Sequence, residues 1–320
     1  MSLVLVLAVV MSCAPAPSQG NYPTRPITLI VPATPGEDAD LVMRIVAGAL
    51  TKELAQTVMV ENVGGGNGAD GTDRARKSAP DGYTLVSISE NTIINQRTGL
   101  VSYGPLDFVP IASLATSPVL LVTAANRPWS STSELIADAK NRPNAIKWGM
   151  LSSSTNAAFA FSLMAKTGAT FEPVSYEVPS ALTQALLSGQ VDVAATSTTQ
   201  QILGSRDLKF IGWASEKRAE RFPQIPTFRE QGLDLVFGMN HGLAAPKGTP
   251  TDIIKKLEGA LQKAMASADA RTRLETDQGV VITFLTSDKY QDALSAKDSE
   301  LDGILKQSGR RICPIWPFCR

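Results

Sequence analysis

A chain of 320 residues is too long for one small core and fits about two domains of ordinary size. With 43% hydrophobic and 19% charged residues it is globular rather than disordered. Thirty basic residues balance thirty acidic ones and no basic stripe interleaves with aromatics, which argues against nucleic acid and other polyanions as partners.

From the start, Leu3 to Met11 is a nine-residue apolar run, too short to span a bilayer and the right size for the core of a secretory signal. Two processing readings follow it: lipid attachment at Cys13, or cleavage after Ala14-Pro15-Ala16. The positive charge expected before such a run is missing, since the first basic residue is Arg25. Residues 1–20 therefore read as a signal or lipoprotein segment and linker of an exported protein, periplasmic or otherwise extracytoplasmic. No later segment has an unbroken apolar run able to cross a membrane.

Residues 27–31 (ITLIV) read as a buried strand, after which Leu41, Val42, Ile45, Val46, Ala49, Leu50 and Leu54 recur at helical spacing. The next strand is 57–62, and beyond its glycines a short helix carries Arg74 to Ala79. Pro80-Asp81-Gly82 is a turn that leads into a strand at 83–89, proline fixing the first dihedral and glycine supplying the unusual one. Ser131 and Glu134 form a capping box opening a helix to about Asn141. Strands follow at 145–151, 171–177, 191–197 and 208–215, with a helix over 180–188 that stops at Gly189. The last elements are a helix at 252–266 capped by Thr251, a strand at 280–285 and a terminal helix from about Ser287. This alternation predicts an α/β protein with a mostly parallel sheet and helices on both faces.

Gly66-Asn67-Gly68-Ala69-Asp70-Gly71 matches the dinucleotide fingerprint, follows a strand, and has Glu90 nineteen residues on. Against a nucleotide, the helix after it is short before Pro80 and the loop is the second strand–helix junction rather than the first. The preferred reading is a loop whose bare N–H groups approach a small ligand closely. No cofactor is expected. His241 is the only histidine, with no acid beside it in sequence, and SSSTN (152–156) lacks the Gly-x-Ser-x-Gly elbow. An exported hydrolase using Ser152 to Thr155 and His241 is the rival from another class. Only scattered acids are available to a metal.

The stretches YPTRPITLIVPATPG, ENVGGGNGADGTDRARKSAPDGYTL, FPQIPTFREQGLD and AAPKGTP together resemble the solute-binding proteins of tripartite tricarboxylate transporters, the Bug or TctC-like family, in order from about Tyr22 to Leu305. The resemblance implies a type II periplasmic-binding-protein fold, two α/β domains joined by two crossing strands with a ligand cleft between them. It places domain 1 at 21–120 plus 238–320 and domain 2 at 121–237, and implies a monomeric receptor that hands a small carboxylate to integral-membrane permease subunits. Its ligand loops fall on Thr34, Pro35, Gly36, Glu37, Asp38 and Asp40, then on Gly65, Gly66 and Asn67. The third falls on Ser152, Ser153, Ser154, Thr155 and Asn156, and the facing domain adds Tyr176, Glu177 and Ser180. Backbone N–H groups, hydroxyls and helix N-termini would hold an anion there.

The chain departs from that pattern in its first loop, where Gly36 is followed by Glu37 and Asp38 in place of glycine and a small residue. Asp38 or Asp40 is expected to cap the helix, taking N–H groups from a ligand. An acid about 5 Å from a ligand anion costs roughly 3 kcal/mol at an effective dielectric near 20. With Glu177 on the facing domain, these acids point to a neutral, zwitterionic or amine-bearing ligand as the alternative to a carboxylate. Cys313 and Cys319 in the tail are placed to close a small loop.

Overall fold

The computed structural model describes residues 22–151, 154–176, 178–197, 205–219 and 222–307. The segment with Cys13, the third-loop residues Ser152 and Ser153, Glu177, and the tail with Cys313 and Cys319 lie outside the described residues.

Strand β1 (Ile27–Val31) pairs in parallel with β2 (Val58–Asn62) and β3 (Thr84–Ile88). Helices α1 (Asp38–Leu54), α2 (Ala69–Arg76) and α3 (Glu90–Arg97) follow these strands in turn. The second half repeats the arrangement: β5 (Lys147–Leu151) lies parallel to β6 (Glu172–Tyr176) and β7 (Val193–Ser197), with α4 (Thr132–Asn141) before β5 and α5 (Thr155–Thr167) and α6 (Pro179–Leu187) after β5 and β6. Strands β1, β2 and β3 each lead into a loop or helix at their carboxyl ends, and open α/β sheets bind ligands at such ends.

The halves are joined by antiparallel pairing, which the expectation of a mostly parallel sheet did not include. Strand β4 (Phe108–Ala124) pairs along its first part with β9 (Gly238–Pro246) and β10 (Val281–Thr286), and along its last part with β7 and β8 (Leu208–Trp213). Nearly all of its residues are buried, as a strand covered on both faces requires. The chain leaves the first half along β4 past Pro118 and comes back at Phe237, whose carbonyl accepts from Val119 N–H at 3.0 Å. Gly238 sits opposite Pro118, and a Cβ there would lie 2.7 Å from the Ser117 carbonyl, so the two crossings approach as closely as they do only because the residue is glycine.

Two main cores result. Val42, Met43, Val46 and Leu50 of α1, spaced for one helical face, pack with β1 and with Ile254, Leu257 and Leu261 of α7 (Thr251–Ala266). The other is built on Trp148, Phe159, Phe171 and Phe228. It also takes in Ile93 and Ile94 of α3 and Leu301 of α9 (Ser287–Gln307), the helix after the short α8 (Ala268–Arg271), so segments that sequence reasoning assigned to domain 1 are buried against the second half. No helix among the described residues is long and apolar enough to cross a membrane.

Local signals hold with small shifts. Ser131 Oγ accepts from Glu134 N–H at 3.1 Å, while the Glu134 carboxylate reaches back one residue further, to Ser130 N–H at 2.6 Å. Thr251 is not the cap of α7; Pro250 holds that position in extended geometry and Thr251 is already helical. Helix α2 begins at Ala69 rather than near Arg74, because Gly68 takes a left-handed φ of 88° and serves as its N-cap.

Candidate functional site

The first loop runs from Ala33 to the start of α1, and its acids turn inward on the loop itself. The Glu37 carboxylate accepts from Thr34 N–H at 3.2 Å and from Thr34 Oγ1–H at 2.6 Å. Asp40 accepts from Gly36 N–H at 2.8 Å and Asn62 Nδ2–H at 2.9 Å, and pairs with Arg44 Nε at 2.9 Å. Burial opposes ionisation of Asp40, but the hydrogen bonds from Arg44, Gly36 and Asn62 outweigh it and hold its carboxyl below the usual range. The expectation that Asp38 or Asp40 caps α1 is corrected: Glu37 holds the N-cap position in extended geometry without a side-chain cap bond, and Asp40 bonds the loop ahead of the helix. Pro35 and Gly36 are exposed at the tip, Gly36 with φ 87°.

Asp38 points the other way. It is 4% exposed, and its Oδ2 lies 3.2 Å from His241 Nε2 without an aligned hydrogen bond to either oxygen. Ser117 Oγ holds the same ring nitrogen at 2.8 Å. This is a buried junction between α1 and the two crossing strands, and it overturns the hydrolase reading. A relay needs acid and nucleophile on opposite imidazole nitrogens, and here both meet Nε2. His241 is 2% exposed, and the hydrogen bonds of Ser154 and Thr155 go to Leu151, Ala157 and Asn91 rather than to it. Next to it Glu90, also buried, accepts from Asn240 N–H at 2.7 Å; burial pushes its carboxyl above the usual range.

The second loop lies against the first: a Cβ on Gly64 would come within 3.6 Å of Thr34 N. Gly65 and Gly66 are exposed, both with positive φ, and Asn67 has φ 52°. The Asp70 carboxylate stands over Gly65, so the mouth of α2 carries its own anion, which disfavours a pyrophosphate there. Asn67 is fixed by Asn95 of α3 through Nδ2–H to Oδ1 and, in return, Nδ2–H to the Asn67 carbonyl, each 3.0 Å.

On the facing half, Ser154 caps α5: its Oγ accepts from Ala157 N–H at 3.3 Å and donates to the Leu151 carbonyl at 2.9 Å. Thr155 is met from the other half, its N–H and Oγ1–H donating to Asn91 Oδ1 at 3.1 and 2.8 Å. Asn156 borders a cavity of about 50 Å³ with Leu151, Leu182 and Thr196. Tyr176 is in register with Leu151 at the strand ends, and Ser180 is exposed in the first turn of α6. A larger hollow of about 330 Å³ lies away from the strand ends, around Arg97, Gly104, Leu106 and Asp298; Arg97 there is already paired with Asp298, which leaves no spare cation for an anionic ligand.

The structure places Thr34 to Asp40, Gly65 to Asn67 and Ser154 to Asn156 beyond the carboxyl ends of β1, β2 and β5 respectively. Sequence reasoning missed Asn62, Asn91 and Asn95, the side chains that lock the loops together. The signal for the last two was Ser89, a helix-capping residue whose Oγ accepts from Asn91 N–H at 3.3 Å.

Residues 42–308 match the family described as the tripartite tricarboxylate transporter family receptor, TctC. A UPF0065 protein of Cupriavidus necator is 34% identical over 268 residues, covering 82% of each chain. The protein BugT of Bordetella pertussis is 29% identical over 303 residues, 92% of this chain and 93% of that one. MatC of Rhodopseudomonas palustris, solved with bound malate, superposes with a TM-score of 0.75 at 28% identity, over 89% of this chain and all of that one. The chain belongs to the TctC or Bug family of solute-binding receptors, with the two-domain fold of those proteins, and is a receptor rather than an enzyme.

Proposed function

We propose that the protein is a periplasmic, monomeric receptor that takes up a small organic acid between its two lobes, 21–120 plus 238–320 and 121–237, and presents it to integral-membrane permease subunits. The observation that carries this reading is the convergence of helix N-termini from both halves, α1 to α3 and α5, on one edge of the sheet. The malate held by MatC, a related chain, supports a carboxylate as the solute. Candidate contacts are the exposed tips at Pro35 and Gly36 and at Gly65 and Gly66, with Asn156, Tyr176 and Ser180 facing them. Calorimetric titration of the mature chain with malate, longer dicarboxylates, monocarboxylates and amino acids tests it. Micromolar binding of one of these acids is expected; no heat with any of them refutes it.

A second reading of the solute rests on Glu37 and Asp40. Their carboxylates already occupy Thr34 N–H, Thr34 Oγ1–H and Gly36 N–H, the donors a ligand anion would otherwise use in the first loop. A solute with an ammonium, hydroxyl or amide group at that end fits better than one with a second carboxylate. Glu37→Gln removes the charge and keeps an oxygen for Thr34, so it should improve malate binding at least several-fold if this reading holds.

A further inference from the structure

Two asparagines of α3 link the glycine loop of one half to the first helix after β5 in the other, Asn95 bonding Asn67 and Asn91 bonding Thr155. Asn91 and Asn95 are one turn apart in α3, which puts them on the same face. Asn95, 2% exposed, closes a two-bond ring with Asn67, a residue in the left-handed region. One turn nearer the helix start, Asn91 Oδ1 accepts from both Thr155 N–H and Thr155 Oγ1–H. Thr155 is the first residue of α5 and 3% exposed; its N–H has no partner within its own helix, and a buried N–H without an acceptor is costly. The acceptor comes from across the cleft. Helix α3 is held in place for this by Ile93 and Ile94, both buried in the core cluster that also holds Phe159 of α5.

We propose that Asn91 and Asn95 are positioning residues that make α3 a bar between the lobes: one end holds the glycine loop in its ligand-ready shape, the other holds the mouth of α5. Lobe closure and loop geometry are then a single event. This rests on the cleft reading above, but its test does not need a ligand. When the lobes part, Asn91 Oδ1 and the Thr155 donors each lose a partner, and these two neutral hydrogen bonds shift the closed-to-open ratio by roughly tenfold, on top of what the burial of Ile93 and Ile94 contributes.

The experiment places spin labels through M59C on β2 and L187C on α6, exposed positions on the two halves, in the full chain with Cys13, Cys313 and Cys319 replaced by Ser. Interspin distances are compared for the parent, Asn91→Ala, Asn91→Asp and Asn95→Ala. Asn91→Ala should shift the population about tenfold toward the longer distance. Asn91→Asp keeps the acceptor and adds an anion favoured at a helix N-terminus, so it should stay closed. Asn95→Ala should open the lobes in the same direction as Asn91→Ala. A merely structural role would lower the unfolding midpoint of Asn91→Ala while leaving the distances as in the parent; that result, or an open Asn91→Asp, overturns the proposal. Malate titration is run alongside: if the parent binds no acid, the solute reading falls while the distances still judge the bar.

Discussion

Asp40→Ala should cost about 3 kcal/mol of folding stability and loosen the first loop. Asp40 is 3% exposed at its side chain and accepts from the Gly36 N–H at 2.8 Å and the Asn62 amide at 2.9 Å. Each such bond to a carboxylate is worth about 1.5 kcal/mol. The third partner, Arg44, is 50% exposed, so its ion pair adds less than about 1 kcal/mol. Asp40→Asn, which keeps one oxygen, should lose about half as much. Urea unfolding at neutral pH, with unchanged m-values, reads both numbers. The sign with pH follows from the lowered folded pKa: the contribution is present above the ordinary carboxylate range and disappears as pH falls through the folded value. The parent and Asp40→Ala curves should therefore converge in acid. A neutral-pH loss below about 1 kcal/mol, or curves that stay parallel down to acid pH, would refute the clasp assigned to this residue.

Glu90 carries the opposite sign, because burial raises its folded pKa and stability must fall as pH rises from the ordinary carboxylate range through that higher value. Glu90→Gln keeps an acceptor for Asn240 N–H and should flatten this decline, seen as a neutral-pH melting temperature at or above the parent's. Phe159→Ala empties the centre of the aromatic cluster with Trp148, Phe228 and Phe237 and should cost about 3–5 kcal/mol in urea titration. Gly238→Ala forces a Cβ against the Ser117 carbonyl, and overpacking at the crossing should cost about 1–3 kcal/mol.

Much of the scaffold was legible because its signals are local. The apolar spacing of α1 and the β-branched run of β1 each fix an element without help from elsewhere, and Gly189, at φ 76°, ends α6 where a left-handed stop was expected. Helix α3 was not legible. Its sequence ENTIINQR places Ile93 and Ile94 side by side among polar residues, so no apolar stripe appears at helical period. It is helical because Ser89 caps it and because both isoleucines find the second half's core, a contact between distant parts of the chain. The candidate loops were legible as strand-end segments, but their bonding was not. That Thr34 to Asp40 lies at a strand end follows from the alternation; that Glu37 binds Thr34 while Asp38 turns to His241 depends on neighbours far apart in sequence. The role of Asn62, thirty-one residues after Val31 and in register with it in the parallel pair, is invisible until the strands are paired.

Strand β4 runs 17 residues, a length of about 56 Å at the usual rise, and carries sheet partners in both halves. Melting either half would strip this one ribbon of part of its partners, so the two halves should unfold in one transition. The same shared ribbon limits how the molecule can be cut or recombined: a graft that replaces one half must inherit the other half's strand, and the natural seam for exchange with a relative lies in the side chains along β4 rather than between the lobes.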